Sequence, residues 1–101
     1  MSKEIESNFQ ENPSKKRFEL KVNEHIAILE YLKTADKIFL THTEVPKALE
    51  GQGVGSKLVK NVLEEIKGGK HTLVPLCPFV ANYIKNHPEW KDLVFRGVKI
   101  D

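Results

Sequence analysis

Glu44-Val45-Pro46-Lys47-Ala48-Leu49-Glu50-Gly51-Gln52-Gly53-Val54-Gly55-Ser56-Lys57 holds the change of pattern that decides how this chain folds. It reads as the end of a strand, a short bend, and a glycine-rich turn that opens directly into a helix. Glycines at alternate positions, Gly51, Gly53 and Gly55, let the backbone turn sharply and leave its N–H groups uncovered by side chains. The helix behind them adds the partial positive charge of its N-terminus and the unpaired donors of its first turn. Such a turn is a natural seat for a phosphate or pyrophosphate, and it is also a tight strand-to-helix connection; spacing alone leaves both readings open. Two other glycine loops are excluded. A P-loop, Gly-x-x-x-x-Gly-Lys-Ser/Thr, needs a wider glycine spacing, and here Ser56-Lys57 stand in the reverse order. A dinucleotide fingerprint, Gly-x-Gly-x-x-Gly, needs its third glycine one position later, and an acidic residue where the next strand ends in Pro75-Leu76-Cys77.

The pattern on either side of the turn differs in period. Before it, Phe18, Leu20 and Val22 alternate with Arg17, Glu19 and Lys21, the signature of a half-buried strand. Asn23-Glu24 reads as a hairpin turn. His25 to Leu32 is apolar on both faces, with Ile26, Ile28 and Leu32 on one and Ala27, Leu29 and Tyr31 on the other, which suits an inner strand covered on both sides. After a turn at Thr34-Ala35-Asp36, Ile38 to Val45 forms a third strand, closed by Pro46. Beyond Gly53 the period becomes helical: Val54, Leu58, Val59, Val62, Leu63 and Ile66 fall on one face, Lys57, Lys60, Glu64 and Lys67 on the other, and Gly68-Gly69 ends the helix. His71 to Leu76 reads as a fourth strand, so a strand-helix-strand crossover adds a parallel step to an antiparallel meander. Cys77 then takes the N-cap of a helix from Pro78 to about Asn86, stopped by Pro88. Trp90 and Leu93 are expected to pack back on the core, and Val94, Phe95, Val98 and Ile100 form an edge strand or a frayed tail. The fold class is mixed α/β, with residues 1–16 a flexible N-terminal arm and residues 17–101 a single domain.

Composition bounds the partners. The 101 residues suffice for one core without staples. A formal charge of +2 is too small to argue for nucleic acid or a membrane surface, and Lys15-Lys16-Arg17 reads as a solvated strand edge. One cysteine rules out an internal disulfide and suits a reducing compartment. No apolar run approaches the roughly 20 residues of a membrane span, and Met1-Ser2-Lys3-Glu4 has no signal-peptide core. A cytoplasmic protein without a metal site is expected.

Three segments, His42-Thr43-Glu44-Val45-Pro46, Leu49-Glu50-Gly51-Gln52-Gly53-Val54-Gly55 and Val74-Pro75-Leu76-Cys77-Pro78-Phe79-Val80, together resemble the small single-domain GNAT-type N-acetyltransferase-like proteins over roughly Phe18 to Leu93. The resemblance implies the GNAT-like acyl-CoA N-acyltransferase fold, with acetyl-CoA or coenzyme A as cofactor. It implies that a turn of the form Arg/Gln-x-x-Gly-x-Gly/Ala holds the pyrophosphate by its main-chain amides. The matching residues are Glu50, Gly53 and Gly55, with Gly51, Gln52 and Val54 between them, and Ser56 and Lys57 follow. Glu50 departs from the pattern: a carboxylate replaces Arg or Gln and opposes the phosphates if it points inward. The resemblance further implies that the third strand splays from the next one. The backbone of Thr43, Glu44 and Val45 then pairs with the pantetheine arm and one N–H polarises the thioester carbonyl.

Acetyl transfer to an amine needs a neutral amine, a polarised carbonyl and a fate for the thiolate. His42 and Glu44, two apart on one strand face, are candidate bases, although a strand histidine is also a common structural residue. Cys77 at a helix N-cap is a candidate nucleophile, an aid to the leaving thiolate, or a small buried cap; with Pro78 it lies where the family meets pantetheine. In larger members a tyrosine on this helix protonates the thiolate; Tyr83 is on the helix, but the count from Cys77 puts the family position nearer Ile84. Lysines 57, 60 and 85 either reach phosphates or are solvated, and His87-Pro88 reads as a helix stop. The function expected is an N-acetyltransferase acting on a primary amine, a small molecule or a protein lysine or N-terminus, at an open acceptor site. The alternative is a non-catalytic acyl-CoA-binding module that kept the cofactor cleft, and a weaker one is an interaction domain with no cofactor.

Overall fold

The computed structural model describes residues 7–98. The central helix α1 (Val54–Lys67) buries Val54, Leu58, Val59, Val62, Leu63 and Ile66 on the face the sequence period assigns to the core. Lys57, Lys60, Glu64 and Lys67 stay exposed. The Gly68 N–H makes the last i→i−4 bond, to the Glu64 carbonyl, and the Gly69 N–H then tightens to the Ile66 carbonyl where the helix ends. Each aliphatic side chain so buried contributes about 1.5–3 kcal/mol, far more than the helical propensity of α1's several β-branched residues.

Helix α1 lies on a five-stranded sheet in the order β1 (Ser7–Asn12), β2 (Arg17–Val22), β3 (His25–Lys33), β4 (Lys37–Glu44) and β5 (Thr72–Pro75). The first four strands are antiparallel neighbours and β5 runs parallel to β4. This is the expected mixed sheet with one strand more. The loose arm expected over residues 1–16 is corrected: residues 7–12 are β1, Pro13–Lys15 is a 3-10 turn capped by the Asn12 side chain, and residues 1–6 lie outside the described residues. Two attachments hold β1. On the core side Phe9 stacks on Phe18 at 5.7 Å. On the other side Gln10 and Asn12 donate to the Glu19 carboxylate at 2.8 and 3.1 Å, and Arg17 Nε adds a third donor at 2.7 Å.

Helix α2 (Pro78–Asn86) begins after Cys77, as expected, and packs beside α1 with Val80 and Ile84 in the same core. A 3-10 segment (Pro88–Leu93) follows, with Trp90 and Leu93 against that core. Val94 bridges Leu73 in parallel and the Phe95 N–H donates to the Leu73 carbonyl at 2.7 Å, so the tail flanks β5 there; Ile100 lies outside the described residues.

Both helices cover one face of the sheet, which corrects a second expectation. On β3, Ala27, Leu29 and Tyr31 are buried, but Ile26 and Leu32 on the opposite face are 41% and 53% exposed, so the strand is covered on one side only. A β-bulge also interrupts the β3–β4 register: Glu30 faces His42 while Tyr31 faces Leu40, leaving Thr41 as the extra residue, its hydroxyl on the Glu30 carbonyl at 3.2 Å. The bulge turns His42 and Glu44 to the uncovered face and Thr43 to the helix face, where its partner Leu29 is buried.

Candidate active site

Strands β4 and β5 pair only from Lys37↔Thr72 to Leu40↔Pro75. Beyond that point the Leu40 carbonyl accepts the N–H groups of both Leu76 and Cys77, and the chain leaves the sheet. From Thr41 to Glu44, β4 keeps β3 as its strand neighbour, and its other edge borders a gap. Pro46 ends the strand, and a 3-10 turn (Lys47–Leu49) carries the chain to the glycines.

Gly51 has φ 81° and Gly53 φ 75°, left-handed positions that explain two of the glycines by backbone conformation. Gly55 is required for a different reason: a Cβ there would lie 2.7 Å from Phe79 Cζ and 3.4 Å from Val45 Cγ2, so α1, α2 and the end of the strand meet at that point. Gly53 caps α1, and the first intrahelical bond runs from the Lys57 N–H to the Gly53 carbonyl. The N–H groups of Val54, Gly55 and Ser56 therefore have no acceptor within the helix.

Between the free edge of β4 and this turn is a cavity of about 400 Å³ lined by Thr43, Val45, Glu50, the three glycines, Val54, Ser56, and also Leu49 and Phe79. A second hollow of about 160 Å³, lined by Asn82, Tyr83, Asn86 and His87, shares Ser56 and Phe79 with it and extends the groove along α2. Of the residues expected to bind cofactor, Thr43, Val45, Glu50, Gly51, Gly53, Val54, Gly55 and Ser56 line the cavity, whereas Gln52, Lys57, Cys77 and Pro78 do not. The Gln52 side chain turns back to the Ala48 carbonyl at 3.2 Å, and Lys57 is exposed. Leu49 and Phe79 were not anticipated. The signal for Phe79 was available in its place directly after a helix-opening proline, opposite Gly55.

The reactive candidates are dispersed. Cys77 is 4% exposed, and its Sγ is 3.2 Å from Thr43 Oγ1, a bond that ties the two sides of the gap. His42 and Glu44 are exposed on the other face, with His42 Nε2 3.7 Å from Glu44 Oε1, and Glu30 faces His42 across the strand pair. Tyr83 lies in the second hollow, its ring 4.1 Å from the His87 ring, with His87 Nδ1 2.8 Å from the Tyr83 carbonyl. Burial, with Glu89 and Glu64 near, raises the Tyr83 pKa above that of a free phenol, so it stays protonated at neutral pH.

The sheet that parts between β4 and β5 beside a glycine-capped helix accords with a comparison of sequence: residues 17–93 match the family model of the GCN5-related N-acetyl-transferases. The chain belongs to that family. A search of curated proteins found no match to it.

Proposed function

We propose that the protein binds acetyl-CoA in the groove between β4 and α1 and transfers its acetyl group to a primary amine, a small molecule or a lysine or N-terminus of a protein. The observation that carries this reading is the cavity of about 400 Å³ joining an unpaired strand edge to a helix N-terminus whose first amides have no acceptor within the helix. The donor set fits the ligand. The amides of Val54, Gly55 and Ser56, with the helix N-terminus behind them, suit a diphosphate. Val45, Leu49, Val54 and Phe79 give the pantetheine methylenes an apolar wall, and the main chain from Thr43 to Val45 offers it strand-like hydrogen bonds. When bound, acetyl-CoA supplies an acetyl group already activated as a thioester. An alkylammonium with a pKa near 10.4 is mostly charged at neutral pH, so a base is needed, and His42 and Glu44 are the groups assigned to take the proton. Tyr83, held protonated, has a proton to give, though it lies in a separate hollow from the Thr43 end of the groove.

Cys77 is assigned a structural part, as the partner of the Thr43 hydroxyl. Cys77→Ala is expected to keep turnover within about threefold and to cost about 1 kcal/mol in stability, the value of one neutral hydrogen bond. Mass spectrometry of the wild-type chain during turnover is expected to find no acetyl adduct. An adduct on Cys77, with activity reduced by orders of magnitude in the alanine variant, would make it the nucleophile instead.

Glu50 sets the affinity. Glu50 is among the residues lining the cavity proposed to receive the diphosphate, and removing its negative charge in Glu50→Gln is worth about 1 kcal/mol. CoA is expected to bind this variant about fivefold more tightly at low salt, with the gain shrinking as salt rises. Titration calorimetry with CoA and acetyl-CoA, followed by thiol release with a panel of amines, tests the reading as a whole. Binding without turnover on any amine would leave a CoA-binding module. Titration that leaves the amide resonances of Gly51 to Ser56 unmoved would remove the reading altogether.

A further inference from the structure

We infer that the acceptor is an extended polypeptide laid across the uncovered face of the sheet, with a lysine flanked at alternate positions by apolar residues, a pattern of the form apolar-x-Lys-x-apolar; this rests on the acetyl-transfer reading above. The strand registers map that face. One row across the strands is Gln10, Glu19, Ile28 and Glu44, and the next is Asn12, Arg17, Glu30 and His42. A further row holds Leu32, Phe39 and Val74. His42 and Glu44 thus stand beside Glu30 and Ile28 on β3, and both sit at the border of the gap.

Charge on this face is distributed unevenly. Glu19 accepts from Gln10, Asn12 and Arg17 Nε, and Arg17 makes its ion pair there rather than with Glu30, which stands opposite it in the register. Glu30 and Glu44 have no lysine or arginine partner among the described residues; the ion-pair contact of Glu44 is His42. Two carboxylates therefore bracket His42 at the one place where the gap opens, and the group they favour there is a cation. Lys21, in the row of Ile26, is the lysine of β2 on this face.

Apolar groups flank that acidic centre along β3. Ile28 precedes Glu30 by two residues and Leu32 follows it by two, with Ile26 beyond; Leu32 is 53% exposed and Ile26 41%. Residues two apart in a strand lie roughly 6.6 Å apart on one face, and an extended peptide repeats at the same distance. A lysine opposite Glu30 therefore brings the residues at minus two and plus two over Ile28 and Leu32. A small amine uses none of this surface. A second copy of this chain related by a two-fold axis would bring Glu30 and Glu44 into the same interface twice.

The test uses the full chain and two peptides, Gly-Ile-Ser-Lys-Ser-Leu-Gly and Gly-Ser-Ser-Lys-Ser-Ser-Gly, each blocked at its N-terminus. Blocked lysine amide serves as a small-amine control. Acetylation of the first peptide is expected to be at least tenfold more efficient than that of the second. Leu32→Ser and Ile28→Ser are expected to raise the KM for the first peptide about tenfold, leaving the KM for acetyl-CoA and turnover of the small amine unchanged. With CoA present, the first peptide is expected to shift the amide resonances of Ile26 to Leu32, which reads docking without chemistry. Equal use of both peptides, indifference to the two substitutions, or a dimer that Leu32→Ser dissolves would overturn the inference and leave the acetyl-transfer reading intact. Failure to acetylate any amine would instead strike that reading itself.

Discussion

Gly53→Val is expected to weaken CoA binding about a hundredfold while the chain still folds. Gly53 has φ 75°, and no atom lies within 4 Å of the position a Cβ would take, so the effect is one of backbone conformation alone. A non-glycine residue in that region costs roughly 1–2 kcal/mol, and a β-branched one is a clear outlier there. The turn relieves the strain by rotating the peptide groups on either side of residue 53, and those groups direct the N–H donors of the proposed diphosphate seat. Losing about 2.7 kcal/mol of binding corresponds to the hundredfold change. Gly53→Asn is the control, because asparagine tolerates left-handed φ, and it is expected to retain most of the affinity. Calorimetry with CoA reads the affinity and a melting curve reads the fold. A valine variant that binds CoA as the wild type does would place the diphosphate elsewhere.

Glu19→Ala has the largest expected effect on stability. Glu19 is 5% exposed, and its carboxylate accepts bonds from Gln10, Asn12 and Arg17. Removing it leaves those donors without their acceptor and frees β1 on one side, at a cost of roughly 3 kcal/mol. For a domain of this size that lowers Tm by some 10–20 °C. The same cluster sets an acid limit. The bond from Gln10, then that from Arg17, and also that from Asn12 hold the Glu19 pKa at about 2 against 4.5 for a free glutamate. A carboxyl whose folded value lies below its unfolded value stabilises the fold above the unfolded value and loses that contribution as pH falls through the folded one. At about 1.4 kcal/mol per pKa unit, roughly 3 kcal/mol disappears between about pH 4.5 and pH 2. Urea unfolding at a series of pH values is expected to show this slope in the wild type and to lose most of it in Glu19→Ala. Glu11 contributes to the remaining slope in the same sense. Its carboxylate is disfavoured by burial, yet the Tyr31 hydroxyl and the Lys33 ammonium outweigh this and lower its pKa.

Periodicity made the helices and the inner strands legible. The stripe from Val54 to Ile66 and the Cys77-Pro78 helix start both survive in the structure because one buried face dictates each. Strand β1 was not legible, since Phe9 is its only large apolar side chain and Gln10 and Asn12 act through Glu19, a partner that local pattern does not reveal. The apolar run from Ile26 to Leu32 was misleading for a related reason: sequence reports that both faces are apolar, not whether anything covers them. At the candidate site, the glycine spacing was readable because positive φ and close approach demand glycine at Gly51, Gly53 and Gly55. The bulge at Thr41 was not, although it decides which face His42 and Glu44 occupy. Nor did sequence show that Tyr83 stands in its own hollow.

A slit between two strands has two mouths. On the proposed reading the nucleotide enters and leaves beside the helices, while the polypeptide rests on the bare side from which His42 and Glu44 project. Spent CoA then vacates its seat without displacing the bound chain, so it should inhibit competitively against acetyl-CoA and non-competitively against the acceptor. A partner carrying several suitable lysines would be modified repeatedly in a single encounter, its products appearing multiply acetylated before the starting population is exhausted.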